Sequence, residues 1–306
     1  MTNNTFGTTT ESVMHRDDIM GPGHLACAGC GIIPMLRLLL KVFGRRTVVV
    51  TPACCYAVVD GPFPYSAIGV PFMHCAFETA AASAAGVRAA FDMRGIPDVN
   101  VIVLAGDGGT FDIGFQALSG AAERNENIVY VCYDNEAYMN TGIQRSSATP
   151  LGAWTTTTPE QAPKAESKKD IGTIMAGHRI PYFATTSMAY PEDMLAKFEK
   201  AKAMSGFRMI HYHCSCPTGW KADSRDMIGL ARLAVQTRAF PLYEILDGES
   251  WQITVDPEPA DLQEYFRIQG RYRHIQPNQL TEIERHLDKE WKTLSRKASA
   301  PESSGR

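Results

Sequence analysis

The sequence predicts an α/β protein, a mostly parallel β-sheet with helices on both faces, and three observations carry that expectation. First, Thr47 to Thr51, Val99 to Ala105 and Ile128 to Tyr133 are continuous β-branched and apolar runs, without the alternation of a sheet that faces water on one side. Second, each run stops at turn-forming residues: Pro52-Ala53-Cys54-Cys55, Gly106-Asp107-Gly108-Gly109 and Asp134-Asn135. Third, segments at helical spacing lie between the runs, and strand alternating with helix is the pattern of a parallel sheet.

Taken in order, residues 1–14 form a polar segment without the charged head and apolar run of a signal peptide. Gly21-Pro22-Gly23-His24 and Cys27-Ala28-Gly29-Cys30-Gly31 make a turn-rich loop that feeds a helix from Ile32 to Phe43, ended by Gly44. Phe77 to Phe91 is alanine-rich, as in a helix packed tightly between neighbours. The strand Val99 to Ala105, a helix from about Ile113 to Arg124 and the strand Ile128 to Tyr133 form a βαβ unit, whose strand ends are neighbours in a right-handed crossover. Asn140 to Lys169 is rich in Thr, Ser, Gly and Pro without a period and reads as a long functional loop. Helix and strand resume through Met194 to Met204 and Met209 to Cys214. A helix near Met227 to Thr237, the segments Pro241 to Glu244 and Trp251 to Val255, and a charged C-terminal helix follow. The expected division is the polar start, an α/β domain over 15–240, and a C-terminal extension over 241–306 that contacts other subunits.

Composition narrows the functions. With 306 residues and 44% hydrophobic content, the chain can bury a large core. A net charge of −3 with no basic stripe argues against nucleic acid, and no apolar stretch reaches transmembrane length, so a cytoplasmic protein with no membrane or nucleic-acid partner is expected. Eight cysteines in a reducing compartment point to metal, redox or core roles rather than disulfides.

Two constellations carry chemistry. Gly106-Asp107-Gly108, with Asp134-Asn135 about 25 residues later, puts an acid at one strand end and an amide at the next. Carboxylate, amide carbonyl and backbone carbonyl oxygens are the ligands Mg²⁺ prefers, and the glycines let phosphates approach the backbone. A Gly-Asp-Gly triplet alone is more often a plain turn; the spaced Asn changes the reading. A Walker site is disfavoured because no Gly-Lys-Ser/Thr follows, and a dinucleotide site because Phe111-Asp112 interrupts the glycines. The second constellation is Cys27-x-x-Cys30 on a glycine-rich loop, with Cys55 at a strand end and Cys216 just past another. These four can converge at one sheet edge. A zinc ribbon would want a second CxxC, and thioredoxin chemistry its own small domain. Cys75 and Cys132 sit in apolar contexts and read as buried core thiols.

The run Gly106 to Thr149, including Asp134-Asn135-Glu136-Ala137-Tyr138-Met139-Asn140-Thr141-Gly142, closely resembles the β subunit of the pyruvate:ferredoxin and 2-oxoacid:ferredoxin oxidoreductases, their thiamine-diphosphate-binding subunit, with oxalate oxidoreductase a near variant. The resemblance extends to Glu264-Tyr265-Phe266 and Gln269 to His274, and so covers about His15 to His274. It implies a thiamine-diphosphate-binding fold with the cofactor held at Gly106, Asp107, Gly108, Gly109, Asn135, Ala137 and Glu78. Asp107 and Asn135 would ligate Mg²⁺ by side chain and Ala137 by its backbone, while Asn140 and Thr141 would act beside the thiazolium and the substrate. In the same family cluster cysteines fall at the CxxC, after the next strand and before a Pro-Thr-Gly-Trp segment, which assigns Cys27, Cys30, Cys55 and Cys216 to one 4Fe-4S cluster. Cys54 stands where a small glycine is usual and Cys214 neighbours the fourth ligand, so either can tune or replace one. Glu136 reads equally well as a site residue or a solvated loop acid, and Arg145 as a residue facing a partner subunit. The implied reaction decarboxylates a 2-oxoacid oxidatively, pyruvate with coenzyme A first and oxalate or another 2-oxoacid as the alternative, and passes electrons singly to external ferredoxin. An α-type subunit and ferredoxin-like γ subunits or domains are the implied partners. The rival readings are a cluster-free thiamine lyase or transferase and a zinc-stabilised, non-enzymatic scaffold.

Overall fold

The protein is described by a computed structural model over residues 10–299; most of the polar start, residues 1–9, lies outside the described residues. Eight strands form one sheet: β1 (Thr47–Thr51), β2 (Phe72–His74), β3 (Asn100–Gly106), β4 (Val129–Asp134), β5 (Tyr182–Ser187), β6 (Arg208–His213), β7 (Tyr243–Leu246) and β8 (Ser250–Ile253). Their order is β2-β1-β3-β4-β6-β5-β7-β8. The first six pair in parallel, and β7 and β8 add on as antiparallel strands.

The apolar runs are continuous because both faces of their strands are covered. Val49, Ile102, Leu104, Val129 and Val131 enter a core with the helices Ile32–Phe43 and Pro191–Ala203. Val50, Val101, Val103, Ala105 and Tyr130 enter a second core with the helices Ala80–Met93 and Phe115–Glu123. Adjacent residues thus point into opposite cores, as the period of a strand requires. The helix Ile32–Phe43 ends where the sequence predicts: Gly44 takes φ +80° and donates its N–H to Leu40 O at 2.8 Å.

The sequence reading passes over three elements. The strand β5 carries Thr185, Thr186 and Ser187, which look like loop residues, yet all are buried and the Thr185 hydroxyl donates to Pro241 O at 2.8 Å. The strand β2 has only three residues, and the helix Ile171–Gly177 only seven. Residues beyond 240 supply β7, β8 and the helix Pro277–Ala298, which rests on β8. No helix among the described residues is long and apolar enough to cross a membrane.

The feature that matters for function is the C-terminal edge of four adjacent strands. Along it, β1 leads to Cys55, β3 to Asp107, β4 to Asn135 and β6 to Cys216. Ligands of open parallel sheets bind at such edges.

Candidate functional site

Strands β3 and β4 pair with Gly106 opposite Tyr133, so Asp107 and Asp134 leave the sheet side by side. Asp107 is buried and opens a π-helical turn, Gly108–Asp112. Gly108 has to be glycine, because a Cβ there would stand 2.4 Å from the Tyr138 ring. Ser146 donates from its hydroxyl to Asp107 Oδ2 at 2.5 Å, which leaves Oδ1 facing the β4 loop. One edge of the Asn135 amide lies 2.9 Å from Asp107 Oδ1 and 2.9 Å from the Ala137 carbonyl oxygen. Turned one way, the amide nitrogen donates to both. Turned the other way, its oxygen faces two oxygens, and a cation between them is what satisfies all three.

Charge around this loop is unevenly compensated. Burial first, and then the charge of Asp134, push the Asp107 carboxyl well above the usual carboxylate range. For Asp134 burial also acts upward, but Lys168 Nζ at 2.5 Å and His211 Nε2 at 2.7 Å outweigh it and hold the group below that range. Glu136 behaves likewise: burial opposes ionisation, and Arg271 Nη2 at 2.6 Å with Lys168 Nζ at 3.2 Å overcomes it. The solvated-loop reading of Glu136 is therefore wrong, because the side chain is only 4% exposed and sits in a buried ion-pair network. Its backbone adopts φ +70°, a conformation that a glutamate takes only when its surroundings impose it. Of these three carboxylates, Asp107 alone makes no ion pair among the described residues; the charge of Lys168 reaches it only as a smaller influence.

A pocket of about 250 Å³ opens in front of this loop. Gly106 to Gly109, Asn135 and Ala137 form one wall and Ala53, Cys54, Cys55 and Val58 the other, with Asn140 and Thr141 on its lining. Asn140 and Thr141 are exposed, and the Thr141 hydroxyl donates to Gln144 Oε1. Glu78 is not brought to this lining; its side chain is exposed in the turn before the helix Ala80–Met93, which starts three residues later than Phe77. Arg145 pairs with Glu166 at 3.3 Å on the surface.

The cysteines gather on the same edge. Tyr212 of β6 donates its hydroxyl to Gly31 O at 2.8 Å, which ties the CxxC loop to the strand that precedes Cys216. Burial comes first in raising the Cys55 thiol to about 12 and the Cys216 thiol to about 11; Cys55 then feels the charges of Cys216, Cys54 and Cys30, and Cys216 those of Cys30 and Cys27. Cys30 moves the other way, to about 7, because Cys214 hydrogen-bonds to it. Gly219 N–H donates to Cys216 Sγ at 3.4 Å, and the Asn135 amide reaches Cys55 Sγ at 3.9 Å. Among the described residues, no group of three or more His, Cys, Asp or Glu side chains stands in single-ion geometry. Cys132 is buried among core residues, while Cys75 is half-buried with its thiol against Thr51 O at 3.4 Å.

Sequence reasoning does not find Lys168, His211 or Arg271, nor His213, whose Nε2 lies 3.7 Å from Glu136 Oε1, nor Trp220, whose indole N–H donates to Asn135 O, as residues around the site. They come from four segments that only folding brings together, and the one signal in the sequence is two histidines and a lysine in otherwise apolar or loop surroundings.

A parallel sheet with an acid and an amide at adjacent strand ends is an arrangement suited to a cation-bound diphosphate. The family described as "Thiamine pyrophosphate enzyme, C-terminal TPP binding domain" matches residues 55–212, more than half of the chain. The pyruvate synthase subunit PorB of Methanothermobacter thermautotrophicus is 49% identical over 276 residues, covering 89% of this chain and 96% of that protein. The ketoisovalerate oxidoreductase subunit VorB of Pyrococcus furiosus is 46% identical over 286 residues, covering 90% and 92%. A solved 2-oxoglutarate:ferredoxin oxidoreductase from Magnetococcus marinus shares the fold, with a TM-score of 0.57 at 23% identity over 70% of this chain and 79% of that one. The chain belongs to the β subunits of the 2-oxoacid:ferredoxin oxidoreductases. It is thus a thiamine-diphosphate-binding subunit of an enzyme that oxidises 2-oxoacids.

Proposed function

We propose that this subunit serves the oxidative decarboxylation of pyruvate, with coenzyme A taking the acyl group and ferredoxin the electrons, and that it carries both Mg²⁺-bound thiamine diphosphate and one 4Fe-4S cluster. Pyruvate is favoured over a branched 2-oxoacid or oxalate because several of the relatives are named pyruvate synthase subunits. The ketoisovalerate oxidoreductases make a branched 2-oxoacid the second reading.

One observation supports the metal site above all. Asp107 Oδ1, one edge of the Asn135 amide and Ala137 O stand with 2.9 Å between the amide and each partner. Adjacent oxygens of an octahedron with Mg–O bonds of 2.0–2.1 Å are also about 2.9 Å apart. The amide with its oxygen inward would therefore match the spacing of Mg²⁺ ligands to both partners, and the cation would supply the charge that Asp107 lacks. For the cluster, Cys27, Cys30, Cys55 and Cys216 fit in chemistry and neighbourhood, with N–H donors already aimed at sulfur.

Thiamine diphosphate, when bound, supplies the electron sink for decarboxylation, and an iron–sulfur cluster removes electrons one at a time. The chain's own part is to place and protect these groups. Asp107, Asn135 and Ala137 would hold the cation, with Gly106, Gly108 and Gly109 giving the diphosphate access to the backbone. Asn140 and Thr141, on the open side of the pocket, would meet the substrate. Glu78 would reach the cofactor only if its turn moved inward. The exposed lining near Asn140 calls for an α-type subunit to close the pocket and keep water out, and ferredoxin-like γ subunits or domains to carry electrons onward.

Anaerobic analysis of the natively purified complex tests this reading, counting thiamine diphosphate, magnesium, iron and sulfide per copy of this chain. Near one thiamine diphosphate, with a cluster lost in Cys27→Ser and Cys216→Ser, is the expected result. Thiamine diphosphate without a cluster on this chain would point to a lyase or transferase, and zinc without thiamine diphosphate to a scaffold. Turnover of purified complex on pyruvate, 2-oxoisovalerate and oxalate ranks the substrates.

A further inference from the structure

We infer that Trp220 and Arg271 are positioning residues that clamp the Asn135 to Met139 loop against the Cys216 loop, so that the metal site and the cysteine site keep one register. The inference rests on the function proposed above.

Cys216 caps the short helix Pro217–Trp220, and its Sγ accepts from the Gly219 N–H at 3.4 Å. Trp220, at the other end of that helix, is fully buried and donates its indole N–H to Asn135 O at 3.1 Å. The residue that offers its amide to the metal site is thus fixed, through its own carbonyl, to the segment that carries the fourth cysteine. The two loops also touch directly: a Cβ on Gly219 would meet Met139 Sδ and Cε at 2.1 Å. The Met139 side chain thus packs directly against the Gly219 backbone, one contact of the two loops beside the Trp220 hydrogen bond.

Arg271 closes the assembly from the opposite side. Its guanidinium lies 4.3 Å over the Trp220 ring, its Nε donates to Gln269 Oε1 at 2.8 Å, and its Nη2 stands 2.6 Å from Glu136 Oε2. The neighbouring Gly270 donates its N–H to Lys221 O at 3.2 Å, and a Cβ there would come within 2.7 Å of Lys221 Cβ. Residues 216–221 are therefore held between the metal loop and the 269–272 turn. The Glu136 pair bears on the same loop, since Glu136 is the left-handed residue between Asn135 and Ala137, both proposed ligands. A residue that only filled space would need neither the indole N–H nor the guanidinium fork.

The test uses the purified whole complex. Trp220→Phe keeps an aromatic ring but removes the N–H and part of the buried volume; Arg271→Met keeps most of the volume and removes the charge; Arg271→Lys restores charge without the planar fork. Magnesium affinity is measured by titrating chelator-treated complex at saturating thiamine diphosphate, together with kcat at saturating Mg²⁺, iron content and the electron paramagnetic resonance spectrum of the reduced cluster. Outer-shell substitutions at metal sites cost about 10–100-fold in affinity. The expected result is Mg²⁺ binding weakened about tenfold in Trp220→Phe and more in Arg271→Met, with Arg271→Lys between wild type and Arg271→Met. In Trp220→Phe, kcat recovers at saturating Mg²⁺, iron is retained and the cluster spectrum shifts. Trp220→Phe and Arg271→Met within twofold of wild type in Mg²⁺ affinity would overturn the clamp, as would an unshifted cluster spectrum in both. Parallel loss of iron, Mg²⁺ affinity and melting temperature would overturn it too, as the mark of general unfolding. Should Arg271→Met fail to fold, Trp220→Phe, which keeps an aromatic ring at that position, carries the test. A wild-type complex that binds neither Mg²⁺ nor thiamine diphosphate overturns the proposed function and the clamp together, whereas normal binding in both wild type and Trp220→Phe overturns the clamp alone.

Discussion

Asp107 and Asn135 stand at the ends of neighbouring strands of one βαβ unit and are both buried, whereas Cys27, Cys30, Cys55 and Cys216 come from three separate segments and range from exposed to half-buried. The proposed oxygen site is held by protein contacts, with the Asn135 amide 2.9 Å from both Asp107 Oδ1 and Ala137 O. Ser146 fixes one oxygen of Asp107, Trp220 fixes the Asn135 carbonyl, and the Thr149 hydroxyl donates to Glu136 O at 2.7 Å. The thiols meet only in neighbourhood: burial and nearby thiols push Cys55 and Cys216 up, while a hydrogen bond with Cys214 brings Cys30 down. The difference teaches that strand register preforms a site, while a site made of distant loops is completed by what it binds.

The sharpest way to break this comparison is Asp107→Asn. It removes a carboxylate charge that burial and Asp134 already disfavour, so the cofactor-free chain should melt no lower than wild type. Loss of an outer-shell contact costs 10–100-fold, and loss of a ligand should exceed it, so activity of the complex should fall by more than about 100-fold with thiamine diphosphate uptake lost. Calorimetry of the stripped chain and a binding titration check the two halves; early melting would show that the loop is not preformed around an uncompensated charge. Ser146→Ala is the milder version. It frees Asp107 Oδ2 without touching a proposed ligand, and because it also leaves the buried Ala148 N–H without its acceptor, Mg²⁺ affinity should weaken about tenfold with the melting temperature lowered by only a few degrees.

How far each region was legible in the sequence follows the same division. β1, β3 and β4 are legible because a strand buried on both faces is written as an unbroken apolar run; β6 is read less directly, since His211 and His213 interrupt its apolar residues. β5 is not, since Thr185 and Thr186 are hydroxyl residues whose burial depends on partners such as Pro241, more than 50 positions away. Asp107 and Asn135 can be read as a pair because the crossover that joins them is local and of fixed hand. Glu136 cannot be placed that way: its burial is decided by Arg271, from beyond residue 240, and by Lys168 at the end of the long loop. The four cysteines stand out by type and position, but their mutual arrangement rests on contacts such as Tyr212 with Gly31 that no spacing reports.

Alkylation of cluster-free protein sharpens the thiol side. Cys30 has its pKa lowered to about 7, so its thiolate fraction rises as pH passes through 7 and is nearly complete at pH 8. Cys55 and Cys216, near 12 and 11, remain thiols at that pH. Labelling at pH 8, followed by peptide mass spectrometry, should modify Cys30 at least about tenfold faster than Cys55 or Cys216, with the Cys30 rate falling off below pH 7. Equal rates at all three would mean that the rim rearranges when its group is absent.

The smallest effect separates the ion-pair network from the element beside it. Asp170 caps the helix Ile171–Gly177, its side chain accepting from Thr173 N–H at 3.0 Å, and Lys168 lies just two residues upstream. Loss of such a cap costs about 1 kcal/mol, which lowers the melting temperature of a chain this size by about 2 °C. Lys168, however, is held by Asp134 at 2.5 Å and Glu136 at 3.2 Å rather than by the helix, so its position should survive the change. Asp170→Ala should therefore melt slightly earlier and bind Mg²⁺ within twofold of wild type. A tenfold loss of affinity in this variant would show that Lys168 is placed by the start of the helix, and that the metal loop draws its rigidity from farther away than its own charge network.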